Sequence, residues 1–296
     1  MRPVFDIDAL RAIVVGSELG SFARAAIQLG RSQSAVSMQL KRLEEQAGHP
    51  LFQRNGRGLV PTEAGDALLA YARRIVELHD EAAAALGNAA TTASIRMGLP
   101  QDFFDDVMPE AFELFSRKRP GIHVEVRAGR NHALEDDVNA GRLDLAIAYF
   151  QPGRGKPGVL LSSLPMSWFG DASYTRSSVQ KRDRIPLVLF DHPCLFRQAA
   201  LNALDNKGIP WRLALTTPSL PGIWGAVRLG HGITVRTARR IPARIRDVGS
   251  ELALPRLPSI ELRMITRSDL SSAASELRVI LESVVRKRTT VRNSRR

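Results

Sequence analysis

The chain has 296 residues, 44% of them hydrophobic and 24% charged, with a formal net charge of +12. These proportions suit a globular protein of about two domains, and no run approaches the roughly 20 apolar residues of a membrane helix. Met1–Arg11 lacks an apolar signal core and Cys194 is the single cysteine, so a cytoplasmic protein without an internal disulfide is expected. The charge suggests a polyanionic partner, but Arg286, Lys287, Arg288, Arg292, Arg295 and Arg296 put half the excess in and just before a basic C-terminal tail, residues 288–296.

Asp8–Leu19 reads as a helix, with Leu10, Ile13 and Val14 at helical spacing and Gly20 as its stop. Ser21 is a natural N-cap for a short second helix whose Phe22, Ala25, Ala26 and Leu29 make one apolar stripe, ended by Gly30. Ser32 caps a third helix that runs to about Ala47 and stops at Gly48. Val36, Leu40, Leu43 and Ala47 form its inner stripe; Gln33, Ser34, Ser37 and Lys41 occupy the opposite face. Short or flexible hydrogen-bonding side chains are what a helix needs in the major groove, where each base pair shows a distinct donor and acceptor pattern. With the capping Ser32 they make the candidate DNA-facing set, on what reads as a helix-turn-helix. Leu51–Arg54 and Leu59–Val60 then flank Asn55–Gly56–Arg57–Gly58, a hairpin signal. Arg54 and Arg57 would make it a basic wing for phosphates or a minor groove. The alternative is a small helical bundle with a polar surface.

Phe22–Ala23–Arg24–Ala25–Ala26, Gln33–Ser34–Ala35–Val36–Ser37, Leu40 to Glu45, Pro50–Leu51–Phe52, Arg54 and Pro61–Thr62–Glu63–Ala64–Gly65 resemble the LysR-type transcriptional regulators. The resemblance implies that Gln33, Ser34, Ser37 and Arg42 face DNA and that Arg54 and Arg57 are the wing contacts. Two positions depart from the pattern. Ala23 stands where a Thr hydroxyl is frequent, which removes one phosphate contact, and Ala47 replaces the usual Leu before Gly48.

Thr62 can cap a long helix from Glu63 to about Leu86. Leu68, Tyr71 or Ala72, Ile75, Leu78, Ala82 and Leu86 fall at alternating spacings of three and four, a seam of roughly three heptads. Arg73, Arg74, Glu77, Asp80 and Glu81 are expected outside it. The stripe fits either a core-packed helix or a dimer seam, and its place after a DNA reader favours the seam. A dimer presents two recognition helices to half-sites about 34–36 Å apart, and the LysR resemblance implies the same linker-helix dimer. A homodimer or homotetramer is therefore expected.

From Ser94 the pattern alternates. Ile95–Leu99 reads as a strand, Phe103–Lys118 as a helix with Phe104, Val107 or Met108, Phe112 and Phe115 inward, Ile122–Ala128 as a strand, His132–Ala140 as a helix and Leu143–Phe150 as a strand. After the Gly/Pro-rich Gln151–Gly158, a second series follows: strand Pro186–Phe190, helix Leu195–Asn206, strand Trp211–Thr216, helix Ser219–Leu229 and strand Ile233–Val235. Strand Ile260–Thr266 and helix Ser272–Arg286 could return to the first lobe. The fold class is thus α/β with an all-α N-terminus: a winged helix-turn-helix domain (1–62), a linker helix (63–87) and a bilobed domain (94–287). The latter resembles the LysR effector domain, itself similar to periplasmic binding proteins. Ligands in such folds favour the carboxyl ends of strands. That directs attention to Pro100, Gln101 and Asp102, Gly129, Arg130 and Asn131, Tyr149 and Phe150, Thr216 and Thr217, and Gly230 to Thr234. Pro100, Gln101, Arg130, Asn131, Thr216 and Thr217 are the effector-binding candidates. Helix N-termini there would favour a carboxylate or phosphate.

Gly153, Gly155 and Gly158 match a dinucleotide fingerprint, but Pro157 and Val159–Leu160–Leu161 argue for a following strand rather than a helix. The His residues are dispersed, so no metal site is expected, and no cofactor motif is present. Asp191–His192–Pro193–Cys194 is the one arrangement that invites a reactive or catalytic thiol, against a structural Cys as the ordinary case. The leading expectation is a regulator that binds double-stranded operator DNA under control of a small-molecule effector. An α/β enzyme with an incidental helical N-terminus and a solute-binding protein are the alternatives.

Overall fold

The computed structural model describes residues 4–55, 58–85, 94–153, 155–172, 174 and 184–290. They divide into two compact units, one drawn mainly from the first 95 residues and the other mainly from the rest.

In the first unit, Asp6 opens α1 (Ile7–Glu18) by accepting the Ala9 N–H at 3.0 Å. Ser21 and Ser32 cap α2 (Phe22–Gln28) and α3 (Gln33–Ala47) in the same way, each satisfying an N–H that has no partner within its helix. Gly48 ends α3 at φ +73°, a left-handed conformation that strains any side chain. A hairpin of β1 (Phe52–Asn55) and β2 (Gly58–Pro61) follows; Gly56 and Arg57 at its tip lie outside the described residues. Then comes α4 (Glu63–Ala85), where Thr62 Oγ1 accepts the Gly65 N–H at 3.1 Å. Gly65 is required there, because a Cβ would lie 1.9 Å from the Leu51 carbonyl oxygen.

Leu10, Ile13, Leu43, Leu51, Phe52, Leu69, Ala72 and Val76 form the core of this unit, each large aliphatic side chain contributing about 1.5–3 kcal/mol by burial. The small Ala12 and Ala26 let α1 and α2 close on Val36 of α3. The expected stripe of α4 resolves into two. Leu69, Ala72 and Val76 face inward, while Tyr71, Ile75 and Leu78 are exposed; Leu86 lies outside the described residues. Arg73 and Asp80, expected on the outside, turn toward α1: Arg73 reaches Glu18 at 4.0 Å and Asp80 accepts from Arg11 at 2.9 Å. An isolated helical stripe carries no mark of which face meets a neighbour: of the two alternatives Ala72 takes the inner face and Tyr71 the outer, and Arg73 and Asp80 leave the outside.

The second unit runs β3 (Ser94–Leu99), a 3-10 turn (Gln101–Phe103), α5 (Val107–Lys118), β4 (His123–Ala128), α6 (Asn131–Asn139), β5 (Leu145–Phe150) and β6 (Val159–Asp171). It continues with β7 (Ile185–Phe190), α7 (Leu195–Asp205), β8 (Trp211–Thr217), α8 (Leu220–Arg228), β9 (Thr234–Thr237), β10 (Ile245–Asp247), β11 (Ser259–Thr266) and α9 (Ser272–Thr290). The large sheet has the order β10, β6, β11, β5, β3, β4, with β9 also on β6; β7 and β8 pair separately. β3 and β5 are parallel, as are β7 and β8, whereas β11 runs antiparallel to β5 and β6.

β6 is the spine that joins the lobes. Its first half pairs with β11 and its second half with β9 and β10. One lobe packs around Leu134, Val138, Ala146 and Phe150, the other around Phe169, Val188, Ile223 and Val227. The glycine triplet ending at Gly158 leads into this strand, as its apolar continuation indicates, and not into a helix.

Two expectations change in detail. The helix expected from Phe103 begins at Val107 after the short 3-10 turn, so Phe103, Val107, Ala111 and Phe115 point inward while Phe112 is 43% exposed. The last helix continues past Arg286 to Thr290, and Lys287 and Arg288 pair with Glu110 on α5.

Candidate nucleic-acid interface and effector cleft

The burial of Val36 and Leu43 fixes which side of α3 faces out. Ser32, Gln33, Ser34, Ser37, Lys41 and Arg42 are all exposed, and so is Met38, at 54%. The polar row is thus present, with one apolar side chain within it that the reading of the sequence passed over. Ser32 is the least free of the set. Its hydroxyl accepts the Ala35 N–H at 3.1 Å and lies 3.0 Å from Ser34 Oγ. Lys41 is loosely paired with Glu45 at 3.9 Å on the surface, a contact worth little. Arg54 is exposed on β1, and Arg57 lies outside the described residues.

Glu44 ties the hairpin to α3, its carboxylate accepting the Leu51 and Phe52 N–H groups at 2.9 and 3.4 Å. It is a positioning residue that the sequence reading missed. Its signal was an acidic side chain on the last turns of α3, ahead of a strand whose backbone needed an acceptor.

A cavity of about 700 Å³ opens between the lobes of the second unit, with Gln101, Asp102, Phe104, Trp224, Arg236 and Arg239 among its walls. Among the described side chains, Gln101 is the one effector candidate on its wall. Its side chain donates to the Pro218 carbonyl at 3.2 Å and accepts the Leu220 N–H at 2.6 Å. Ser219 Oγ accepts the Gly222 N–H, and Pro221 has no N–H. The N-terminus of α8, expected to offer donors to an anion, is already satisfied.

Pro100, Arg130, Thr216 and Thr217 lie off the cavity wall, and the Asn131 side chain is outside the described ones. The Pro100 carbonyl accepts from Phe103 in the 3-10 turn. Arg130 donates to Asp191 at 2.6 Å and to the His192 carbonyl at 3.3 Å. Asn131 begins α6, Thr216 is exposed on β8, and Thr217 Oγ1 accepts the Ser219 N–H at 3.2 Å.

The strand-end rule named Asp102 and Tyr149 but missed Asp106, Arg236 and Arg239, and with them a set of ion pairs across the lobes. Asp102 meets Arg236, and Asp106 meets Arg239 at 3.0 Å. Arg236 also lies over the rings of Phe196 and Phe190, at 4.2 and 5.2 Å from their centroids, and Arg239 over Phe103 at 4.1 Å. Tyr149 donates its hydroxyl to the second Asp102 oxygen at 2.9 Å. Burial, with the Asp102 charge beside it, pushes the Tyr149 phenol well above its ordinary pKa, so it remains a donor. Burial alone would lower Arg236, but Asp102 more than compensates and its pKa is raised.

Cys194 is half-buried at the N-cap of α7 and makes no side-chain cap hydrogen bond. Asp191 turns to Arg130 rather than to His192, so the Asp-His-Cys run does not assemble as a relay. Among the described residues, no group of three or more His, Cys, Asp or Glu side chains could hold a metal ion. Among them, too, no helix is long and apolar enough to cross a membrane.

Residues 7–66 match the bacterial regulatory helix-turn-helix protein, lysR family, and residues 88–286 match the LysR substrate binding domain. The chain is similar to the HTH-type transcriptional regulator PecT of Dickeya dadantii (strain 3937), with 34% identity over 90% of this chain and 84% of PecT. It is also similar to the HTH-type transcriptional regulator DgdR of Burkholderia cepacia, with 36% identity over 88% of this chain and 87% of DgdR. The fold is shared with the crystal structure of ArgP from Mycobacterium tuberculosis, with a TM-score of 0.68 and 20% identity over 94% of this chain and 96% of that one. The two matched regions together set aside both the enzyme and the solute-binding alternatives. The chain belongs to the LysR family: it is a DNA-binding transcription regulator with a helix-turn-helix domain and an effector-binding domain.

Proposed function

We propose that residues 1–62 read double-stranded operator DNA in the cytoplasm through α3, with Gln33, Ser34, Ser37, Lys41 and Arg42 turned to base edges and phosphates. Ser32 serves chiefly as the cap that points this row. Met38 offers an apolar contact to a thymine methyl, and Arg54 and Arg57 touch the DNA backbone or a minor groove from the hairpin. Residues 63–87 join two copies through Tyr71, Ile75 and Leu78, giving a homodimer or homotetramer. Residues 94–287 take a small-molecule effector between their lobes, with Gln101 at the site.

The observation that carries this reading is the exposed polar row on a helix whose other side is locked by Val36 and Leu43. The test is selection of bound sequences from random duplex DNA by the wild-type protein and by Ser34→Ala. The variant should melt like the wild type and lose preference at one or two base positions per half-site, at about 1–3 kcal/mol each. An unchanged preference would remove α3 from the reading.

A further inference from the structure

We infer that Asp102 is a built-in substitute for the carboxylate of the effector, so that the ligand of this cleft is a small carboxylate with an apolar or aromatic body that displaces Asp102 from Arg236. The inference rests on the effector-cleft reading above and adds the chemical class of the ligand and how the cleft is held without it.

Three observations carry it. First, the Arg236 side chain is 6% exposed yet lines the cavity, and two phenyl rings fix its guanidinium. A cation so desolvated requires an anion beside it in every well-populated state. Whatever enters and separates Asp102 from Arg236 must bring a replacement charge. A guanidinium has five N–H donors in a fork that matches a carboxylate.

Second, the two buried lobe-to-lobe pairs are not equally fixed. Asp106 also accepts the Val107 N–H at 2.8 Å and caps α5, so its pair with Arg239 is anchored in a helix end. Asp102 sits on a three-residue 3-10 turn, and two side chains, Arg236 and Tyr149, hold its carboxylate. It is the pair that can exchange. Third, the rest of the wall includes Phe104, Trp224, Ile241 and Pro242. A cavity of about 700 Å³ is ample for an apolar body behind the carboxylate.

The test is calorimetric titration of the full-length protein, without DNA, with phenylacetate and with phenylacetamide as its uncharged counterpart. Asp102→Asn keeps the shape and removes the competing charge. It should bind phenylacetate about tenfold or more tightly than the wild type, with no such gain for the amide. Adding Arg236→Gln to that variant should abolish the gain.

Tyr149→Phe, which keeps both charges and only loosens Asp102, should move affinity the same way by about threefold. It decides the matter if Asp102→Asn does not fold. Equal gains for acid and amide would keep a ligand cleft but overturn the anionic class. No gain in either variant would overturn the substitution by Asp102. Operator binding is scored separately, so neither result bears on α3.

Discussion

The two ends of this regulator treat their polar groups in opposite ways. On α3 the outward side chains are left largely free: Gln33, Ser37 and Arg42 are exposed and backed by an apolar stripe. In the cleft the polar groups are spent on one another. Asp102 answers Arg236 and Tyr149, Asp106 answers Arg239, and Gln101 closes the N-terminus of α8. A DNA reader meets a highly hydrated polyanion and gains by displacing counterions and water from an open surface. A buried ligand site must remain stable while empty, and an unpaired charge there would cost several kcal/mol. The difference teaches that an exposed recognition surface is recognised by its unmet hydrogen bonds, and a buried one by which internal pair is easiest to replace.

Breaking the cleft's side of this contrast should have the largest effect. Arg236→Ala leaves Asp102 buried without its cation and should cost about 3–5 kcal/mol. Hydrogen exchange should show lost protection in β9 and α7 while α1 to α3 keep theirs. Equal loss in both units, or none, would mean that the pair is not a local device.

The same contrast explains what was legible in the sequence. α1, α2, α3 and the hairpin announce themselves through neighbouring residues: Gly20 stops α1, Ser21 and Ser32 cap helices that begin one position later, and Gly48 ends α3 where the apolar stripe stops. The candidate DNA face follows from that phase alone. The cleft does not. Asp102 and Arg236 are 134 positions apart, and no periodicity links them. Strand-end reasoning found Gln101 and Asp102 but sent Arg130 and Thr217 to a site they do not line. The length of β6 was hidden because it serves two lobes with different burial on each half. The inward face of α4 was hidden because α1 selects Leu69, Ala72 and Val76 only once the chain has folded back.

The linker helix sharpens the comparison from the side of an interface still uncovered. Ile75 is 43% exposed and Leu78 68% exposed in the single chain. If a second copy covers them, Ile75→Asp should weaken association by at least about 2 kcal/mol per protomer. Sedimentation would then show monomers and operator affinity would fall, with the melting of the monomer unit little changed. A persisting dimer would move the seam elsewhere.

The smallest effect belongs to Arg11 and Asp80, a charged pair that holds α1 to α4 and is only partly buried. Burial opposes the Asp80 charge, but hydrogen bonds from Arg11 and His79, with the charges of both, together outweigh it and hold the carboxylate below its ordinary pKa. A folded pKa below the unfolded one stabilises at pH above the unfolded value, about 3.9, and the benefit fades as pH falls through the folded value. Asp80→Asn should therefore melt lower than the wild type at neutral pH, by about 1 kcal/mol. That gap should narrow from about pH 4 downward. A gap that does not change with pH would show that the pair contributes by shape rather than charge.

If α3 is the element that reads sequence, Ser37→Ala and Arg54→Ala should fail in different ways. Both are titrated against a panel of operator variants over a range of salt. Ser37→Ala should reorder the preferred sequences and leave the slope of log affinity against log salt as it was. Arg54→Ala should keep the order and flatten the slope by about one unit. If Ser37→Ala instead weakened all sequences equally, α3 would be a support and the reader would lie elsewhere on the molecule.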